Sequence, residues 1–274
     1  MFEMIAQGKT KKIWPHVDVE NMVEIENKDD VTAGDGKKHD IIKDKGSFAT
    51  QVTVQCFRLL EREGVKTHFR DCNLAEQNNV FVARQCKMIP IEVVVRRFAE
   101  GSYLKRYPDT KKGERFETPP VEFFLKDDRL HDPLIVYQGC DMWYSYSASE
   151  IFHGGEPEDR RNILFGADFF QDVRLCRKII ARMQQTARLV FLILEKAWET
   201  QRHTLIDLKI EFGFDCGTGE LLVADTIDND SWRLRRGGKD GKEMSKQAYR
   251  DGEPLETVRN NYFEVAVSSL SFME

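Results

Sequence analysis

The 274-residue chain has no CxxC pair, no Walker A spacing, no apolar run of membrane-spanning length and no excess of positive charge. Each absence narrows the field. Six cysteines stand singly at positions 56, 72, 86, 140, 176 and 216, so the thiols are read as reduced and no zinc site is expected. The start, Met1-Phe2-Glu3-Met4-Ile5, lacks the basic segment and long apolar run of an export signal, which points to a cytoplasmic protein with no membrane role. A net charge of -5 argues against a protein that coats nucleic acid. His131 has no second histidine at ligand spacing, and no repeat or low-complexity linker interrupts the chain. What remains, 32% charged and 11% aromatic with mean hydropathy -0.51, is a soluble globular chain. At 31.9 kDa it is long enough for one large core or two unequal lobes.

The texture changes once, near Glu122. Before it, short apolar runs at Val65 to Phe69, Val80 to Ala83 and Ile89 to Val95 read as strands. One helix interrupts them, following Gly46-Ser47, carrying Phe48, Val52, Cys56, Leu59 and Leu60 near helical spacing and stopping at Gly64. Beyond Glu122 a long amphipathic helix carries Val173, Cys176, Ile179, Ile180, Met183, Ala187, Val190, Phe191 and Leu194 on one core-facing stripe. A Gly/Lys-rich loop spans Arg236 to Lys246. A final helix is expected near Pro254, turning Leu255, Val258, Tyr262, Val265 and Ala266 inward. The order fits a two-lobed α+β protein: a β-rich N-terminal lobe over 1-122 and an α+β C-terminal lobe over 123-274.

The most telling stretch is Leu205 to Leu234. In an extended strand Asp207, Lys209 and Glu211 share one face while Ile206, Leu208, Ile210 and Phe212 pack behind them. Cys216-Gly217-Thr218-Gly219 is turn chemistry, and a hairpin folded about Thr218 sets Asp225 opposite Glu211. Facing carboxylates repel unless a cation or proton lies between them, and Mg²⁺ takes one or two carboxylates plus substrate phosphates. A solvated sheet face with a salt-bridged Lys209 fits the same pattern.

Two further clusters suit phosphate. Gln7-Gly8-Lys9-Thr10-Lys11-Lys12 places a glycine before closely spaced ammonium groups, with Lys9 and Lys11 on one face of a strand; a lysine-guarded edge strand is the other reading. Arg96-Arg97-Phe98-Ala99-Glu100-Gly101-Ser102 ends an apolar strand in forked donors, then offers a close-approach glycine and a hydroxyl. A salt bridge from Arg96 or Arg97 to Glu92 or Glu100 fits equally well. Lys126-Asp127-Asp128 and His131-Asp132-Pro133 add acids that could hold a metal or orient an amine, on what is also an ordinary turn.

Taken together, the clusters resemble the SAICAR synthetase (phosphoribosylaminoimidazole-succinocarboxamide synthase) family over most of the chain. The resemblance rests on Gly8-Lys9-Thr10-Lys11, Thr32-Ala33-Gly34-Asp35-Gly36, Ile89-Pro90-Ile91-Glu92 through Gly101-Ser102, Phe124 to Asp128 with His131-Asp132-Pro133, Asp207 to Gly213, and Asp225 to Arg233. Asp228-Asn229-Asp230-Ser231-Trp232-Arg233 looks like the animal-type form, usually fused to a carboxylase domain, and no such domain is expected here. The resemblance implies that family's two-lobed fold, with an ATP cleft between the lobes. It also implies an ATP-dependent ligase of purine biosynthesis that joins L-aspartate to carboxyaminoimidazole ribonucleotide through an acyl phosphate.

Lys209, Asp207 and Lys9 are then the expected catalytic residues, and Gly8, Lys9, Lys11, Lys87, Met88 and Asp207 the expected ATP site. Asp35, Arg96, Gly101, Ser102, Asp132, Asp230 and Arg233 would bind the other substrates, with Arg96, Ser102 and Arg233 on the ribonucleotide phosphate. Glu211 and Asp225 would hold Mg²⁺. The sequence admits a homo-oligomer without specifying one. It departs from the family pattern at Arg235, where tryptophan is usual, and at Ser245, where aspartate is usual; Asp141 to Phe165 has no counterpart that could be placed. A non-catalytic nucleotide-binding relative and a ligase for a different amine are the alternatives.

Overall fold

A computed structural model describes residues 3–34, 36–72, 78–127, 132, 134–138, 142–146 and 173–274. Strands β1 (Ala6–Gln7), β2 (Lys11–Pro15) and β3 (Met22–Asn27) lead into the hairpin of β4 (Asp30–Ala33) and β5 (Lys38–Ile41), followed by helix α1 (Lys45–Arg62). Next come β6 (Phe69–Asp71), β7 (Val80–Arg84), β8 (Cys86–Arg96), the short α2 (Ser102–Arg106), β9 (Val121–Leu125), β10 (Leu134–Gln138) and β11 (Met142–Tyr146). Helix α3 (Val173–Thr200) precedes β12 (His203–Asp215), β13 (Leu221–Ala224), β14 (Trp232–Arg236) and β15 (Lys242–Glu243). The chain closes with α4 (Gln247–Arg250), α5 (Leu255–Ser269) and a 3-10 turn, Leu270–Met273.

Two larger sheets hold all the named strands except β4 and β5, which pair only with each other. The smaller is ordered β1-β2-β3-β7-β6; the larger is ordered β11-β10-β9-β8-β12-β14-β15, with β13 also on β12. Alternation sets which face is wet. In β3, Val23, Ile25 and Asn27 are buried while Met22, Glu24 and Glu26 are part-exposed. In β8, Ile89, Ile91, Val93 and Val95 are fully buried, and Glu92, Val94 and Arg96 face the other way. One hydrophobic cluster, running from Val23 through Val95 and Leu194 to Phe272, joins the sheets to α1 and α3. Among the described residues no helix is long and apolar enough to cross a membrane.

Helix α1 ends as expected. Gly64, at φ +82°, donates to Glu61 O while Val65 donates to Leu60 O, a left-handed cap that glycine adopts without strain. On α3, Ile179, Ile180, Met183, Ala187, Val190, Phe191 and Leu194 are all buried, as the stripe requires, whereas the side chains of Val173 and Cys176 lie outside the described residues. On α5, Val258, Tyr262, Val265 and Ala266 are buried, but Leu255 is exposed because the first turn projects past the core. The strand expected from Val65 begins only at Phe69; Thr67 instead makes an isolated parallel bridge to Val223. The loop after Arg236 holds the short strand β15. Glu122 lies within β9, which is paired to β8.

Candidate active site

Strand β12 is the spine of the larger sheet. One edge pairs with β8 along most of its length; the other carries β14 as far as Leu208 and β13 from Glu211 onward. The second edge is therefore open at Lys209 and Ile210, and the loop from Asp225 to Ser231 closes over it through Lys209 N–H to Ser231 O, 2.7 Å. A cavity of about 710 Å³ lies on the charged face of this wall, reached also by Gly8 to Lys11 and by Thr32 to Gly34.

The wall is built in register. Asp207 lies across from Arg96, Lys209 from Val94 and Glu211 from Glu92. Like charges directly opposite destabilise a sheet, and Glu92 and Glu211 would do so alone. Lys209 lies between them, 2.6 Å from Glu92 Oε1 and 3.1 Å from Glu211 Oε1. Burial disfavours its charge, but Glu211, Glu92 and Asp225 outweigh burial and raise its pKa well above the ordinary lysine range. It is a fixed positive charge and not a base. Lys126 donates to both oxygens of Glu211, at 2.8 and 2.7 Å, and Lys11 pairs with Asp225. Burial favours the neutral form of Asp225, yet Lys11, Lys209 and Lys126 push its pKa well below the carboxylate range.

At the other end stand guanidinium groups. Arg96, 3% exposed, donates from Nε to Glu122 at 2.6 Å and from NH1 to Asp207 at 2.9 Å, with NH2 3.5 Å from Ser102 Oγ. Arg233 NH1 donates to the same Asp207 oxygen, and its backbone N–H to Asp207 Oδ1 at 3.2 Å. Gly101, at φ +58°, lies against the Arg233 guanidinium, and its left-handed backbone is one that glycine adopts without strain. Neither salt bridge considered for Arg96 and Arg97 forms: Arg97 donates to both oxygens of Glu195, at 2.6 Å each.

The loop over the wall supplies a third group. Asp230 accepts from Lys246 at 3.2 Å and from Tyr262, with buried Lys45 3.5 Å away. Against burial, Lys45 and Lys246 hold its pKa well below the usual range. Asp228 is the reverse: burial and the nearby Asp230 push it up to about 6. Its Oδ1 accepts the Asp230 N–H at 2.8 Å.

The cavity thus brings together Gly8, Lys9, Lys11, Arg96, Ser102, Asp132, Asp207, Lys209, Glu211, Asp225, Asp230 and Arg233. Asp35 lies outside the described residues, as do Asp128 and His131. Several expectations change. Glu211 pairs with Ala224 and not Asp225, because the hairpin folds half a residue earlier; Asp225, just past the strand at φ +65°, still lines the cavity. Lys9 lies in the turn between β1 and β2, outside the strand that carries Lys11. Asp207 accepts from Arg96 and Arg233. Lys87 and Met88 lie off the cavity, further along β8 opposite Phe214 and Gly213.

Glu92, Lys126, Asp228 and Lys246 line the cavity without having been given a role from the sequence. Lys126 and Asp228 lie in motifs already singled out; Lys45, at 2% exposure, has no local signal, since only the fold buries it.

Against known proteins, the family model of SAICAR synthetase matches residues 4–152 and 164–268. It runs through 141–152, for which no counterpart was expected, and leaves 153–163 outside. A phosphoribosylaminoimidazole-succinocarboxamide synthase of Chloroflexus aurantiacus is 41% identical over 268 residues, 96% of this chain and 94% of that protein. The bifunctional phosphoribosylaminoimidazole carboxylase/phosphoribosylaminoimidazole succinocarboxamide synthetase of Homo sapiens is 38% identical over 269 residues, 96% of this chain and 57% of that protein. A solved SAICAR synthetase in complex with ADP aligns at TM-score 0.75 and 29% identity, covering 96% of this chain and 97% of that one. A cavity walled by the motif residues, in a chain matched along nearly its whole length, has one reading: the chain belongs to the SAICAR synthetase family.

Proposed function

We propose that this protein uses ATP to join L-aspartate to the carboxylate of carboxyaminoimidazole ribonucleotide, giving SAICAR, ADP and phosphate. The observation that carries the reading is the polarity of the β8–β12 wall, with Arg96 at one end and Glu92 beside Lys209 at the other. Four residues of strand separate Arg96 from Glu92, about 13 Å. A ribonucleotide likewise carries its phosphate and its base-borne carboxylate at opposite ends.

A carboxylate is a poor electrophile. One of its oxygens therefore attacks the γ-phosphorus of ATP, the bond to the bridging oxygen breaks, and ADP leaves. The aspartate amine then attacks the acyl carbon, the carbon–oxygen bond to phosphate breaks, and the amine loses a proton as the amide forms. Both steps need positioning and charge neutralisation more than covalent help from the protein. Lys209 stays charged throughout and faces the reacting centre; Lys11 and Lys126 can exchange carboxylate partners for phosphate oxygens. Lys9, in the β1–β2 turn with Gly8, lines the cavity and would contact the nucleotide phosphates. The two carboxylates of aspartate need cations, and Lys246 and Arg250 line the cavity for them.

Mg²⁺ fits the donor set at Glu211 and Asp225, whose hard oxygens share the cavity. When bound, it would neutralise charge on the transferring phosphoryl group. The test is oxygen transfer: ¹⁸O placed in the ribonucleotide carboxylate should emerge in inorganic phosphate. Its retention entirely in the amide product would contradict the acyl phosphate.

A further inference from the structure

Arg233 and Arg235 are two apart on β14, so they leave the strand on the same side. Arg233 enters the cavity. Arg235 stops behind it and joins two carboxylates from distant parts of the chain. Its NH2 donates to Glu100 Oε1 at 3.1 Å and its Nε to Glu243 Oε2 at 3.3 Å. Glu100, 6% exposed, directly precedes Gly101, the glycine pressed against the Arg233 guanidinium. Glu243 lies across the β14–β15 ladder from Arg235. Its other oxygen accepts the Ser245 N–H at 3.2 Å and the Ser245 hydroxyl at 2.5 Å. The next residue, Lys246, reaches Asp230 on the cavity wall.

The contacts run unbroken from one lip of the cavity to the other: Glu100, Arg235, Glu243, Ser245, Lys246. One guanidinium holds two carboxylates, each less than one-fifth exposed. Without it they would repel, since Lys112, 4.0 Å from Glu100 and 73% exposed, is too solvated to replace it. Arg235 and Ser245 thus share Glu243 in a single network.

We infer that Arg235 is a positioning residue for the ribonucleotide, tying the Gly101-Ser102 loop to β15 and so fixing the phosphate cradle against the Lys246 lip. This rests on the proposed function. Arg235 acts through Glu100 and Glu243 and does not line the cavity itself.

Steady-state kinetics of Arg235→Met, Arg235→Lys, Glu100→Gln and the Arg235→Met/Glu100→Gln double variant test it, with both ATP and ribonucleotide varied. Arg235→Met should raise the ribonucleotide KM about tenfold, equivalent to about 1.4 kcal/mol, while kcat and the ATP KM stay within about twofold. Arg235→Lys should recover part of the loss. Glu100→Gln should shift the same constant, and the double variant should fall short of the product of the single effects, because both cut one link. An unchanged ribonucleotide KM in folded Arg235→Met, an equal rise in the ATP KM, or independent effects in the double variant would overturn the inference. If Arg235→Met does not fold, an unchanged ribonucleotide KM in both Glu100→Gln and Arg235→Lys overturns it. Absence of turnover by the unaltered protein overturns the proposed function and this inference with it; turnover with unresponsive variants overturns the inference alone.

Discussion

Arg96 and Asp207 face one another across the β8–β12 ladder, and the guanidinium donates to the carboxylate at 2.9 Å while Arg233 donates to the same oxygen. Asp207 is the pin between two arginines. With Arg106 also held by Glu122, the cluster sets three guanidinium groups against two carboxylates, a net of one positive charge. That surplus suits a phosphate monoester.

Asp207→Asn should therefore act on the ribonucleotide. The amide accepts only weakly from two guanidinium groups, so they lose their fixed separation, and the ribonucleotide KM should rise by about one order of magnitude. ATP binding should hold. Calorimetric titration of each ligand checks it, and a loss confined to ATP would return Asp207 to the nucleotide side.

Arg233→Lys removes a fork and leaves a point charge. Losing a charge-assisted hydrogen bond in this desolvated corner should cost roughly 1.5 to 3 kcal/mol, raising the ribonucleotide KM by one to two orders of magnitude. The ATP constant should scarcely move. Weakened ATP with untouched ribonucleotide would reverse the assignment of the two ends.

Much of this site was legible. The alternation of Asp207, Lys209 and Glu211 against Ile206, Leu208, Ile210 and Phe212 needs only the two-residue period of a strand, and the three charged residues line the cavity while the four apolar ones are buried in the core. Pairing was less legible: a hairpin shifted by half a residue changes the partner of Glu211, and only the turn geometry decides it. The role of Lys45 was not legible, because its burial depends on α1 meeting the 225–231 loop from far along the chain. The arginine partners of Asp207 were not legible for the same reason: they lie 111 and 26 residues away.

Asp228 gives the site a pH signature. Burial and Asp230 raise it from an ordinary 3.8 to about 6, so between those values the folded chain keeps a proton that the unfolded chain has lost. Stability is then greater below pH 4 and is lost as pH rises through 6. Asp228→Asn should match the parent near pH 4 and exceed it at pH 7.5 by on the order of 3 kcal/mol, read from urea midpoints. Parallel profiles for the two proteins would show that Asp228 titrates normally.

The most direct measurement is coupled ADP release by the purified protein, with carboxyaminoimidazole ribonucleotide, Mg²⁺ and a panel of amino acids. ADP should form in step with SAICAR when L-aspartate is present, and Glu211→Gln should abolish both in a protein that remains folded. ADP release with another amine in preference to aspartate, no turnover with any, or near-normal turnover by Glu211→Gln would contradict the account.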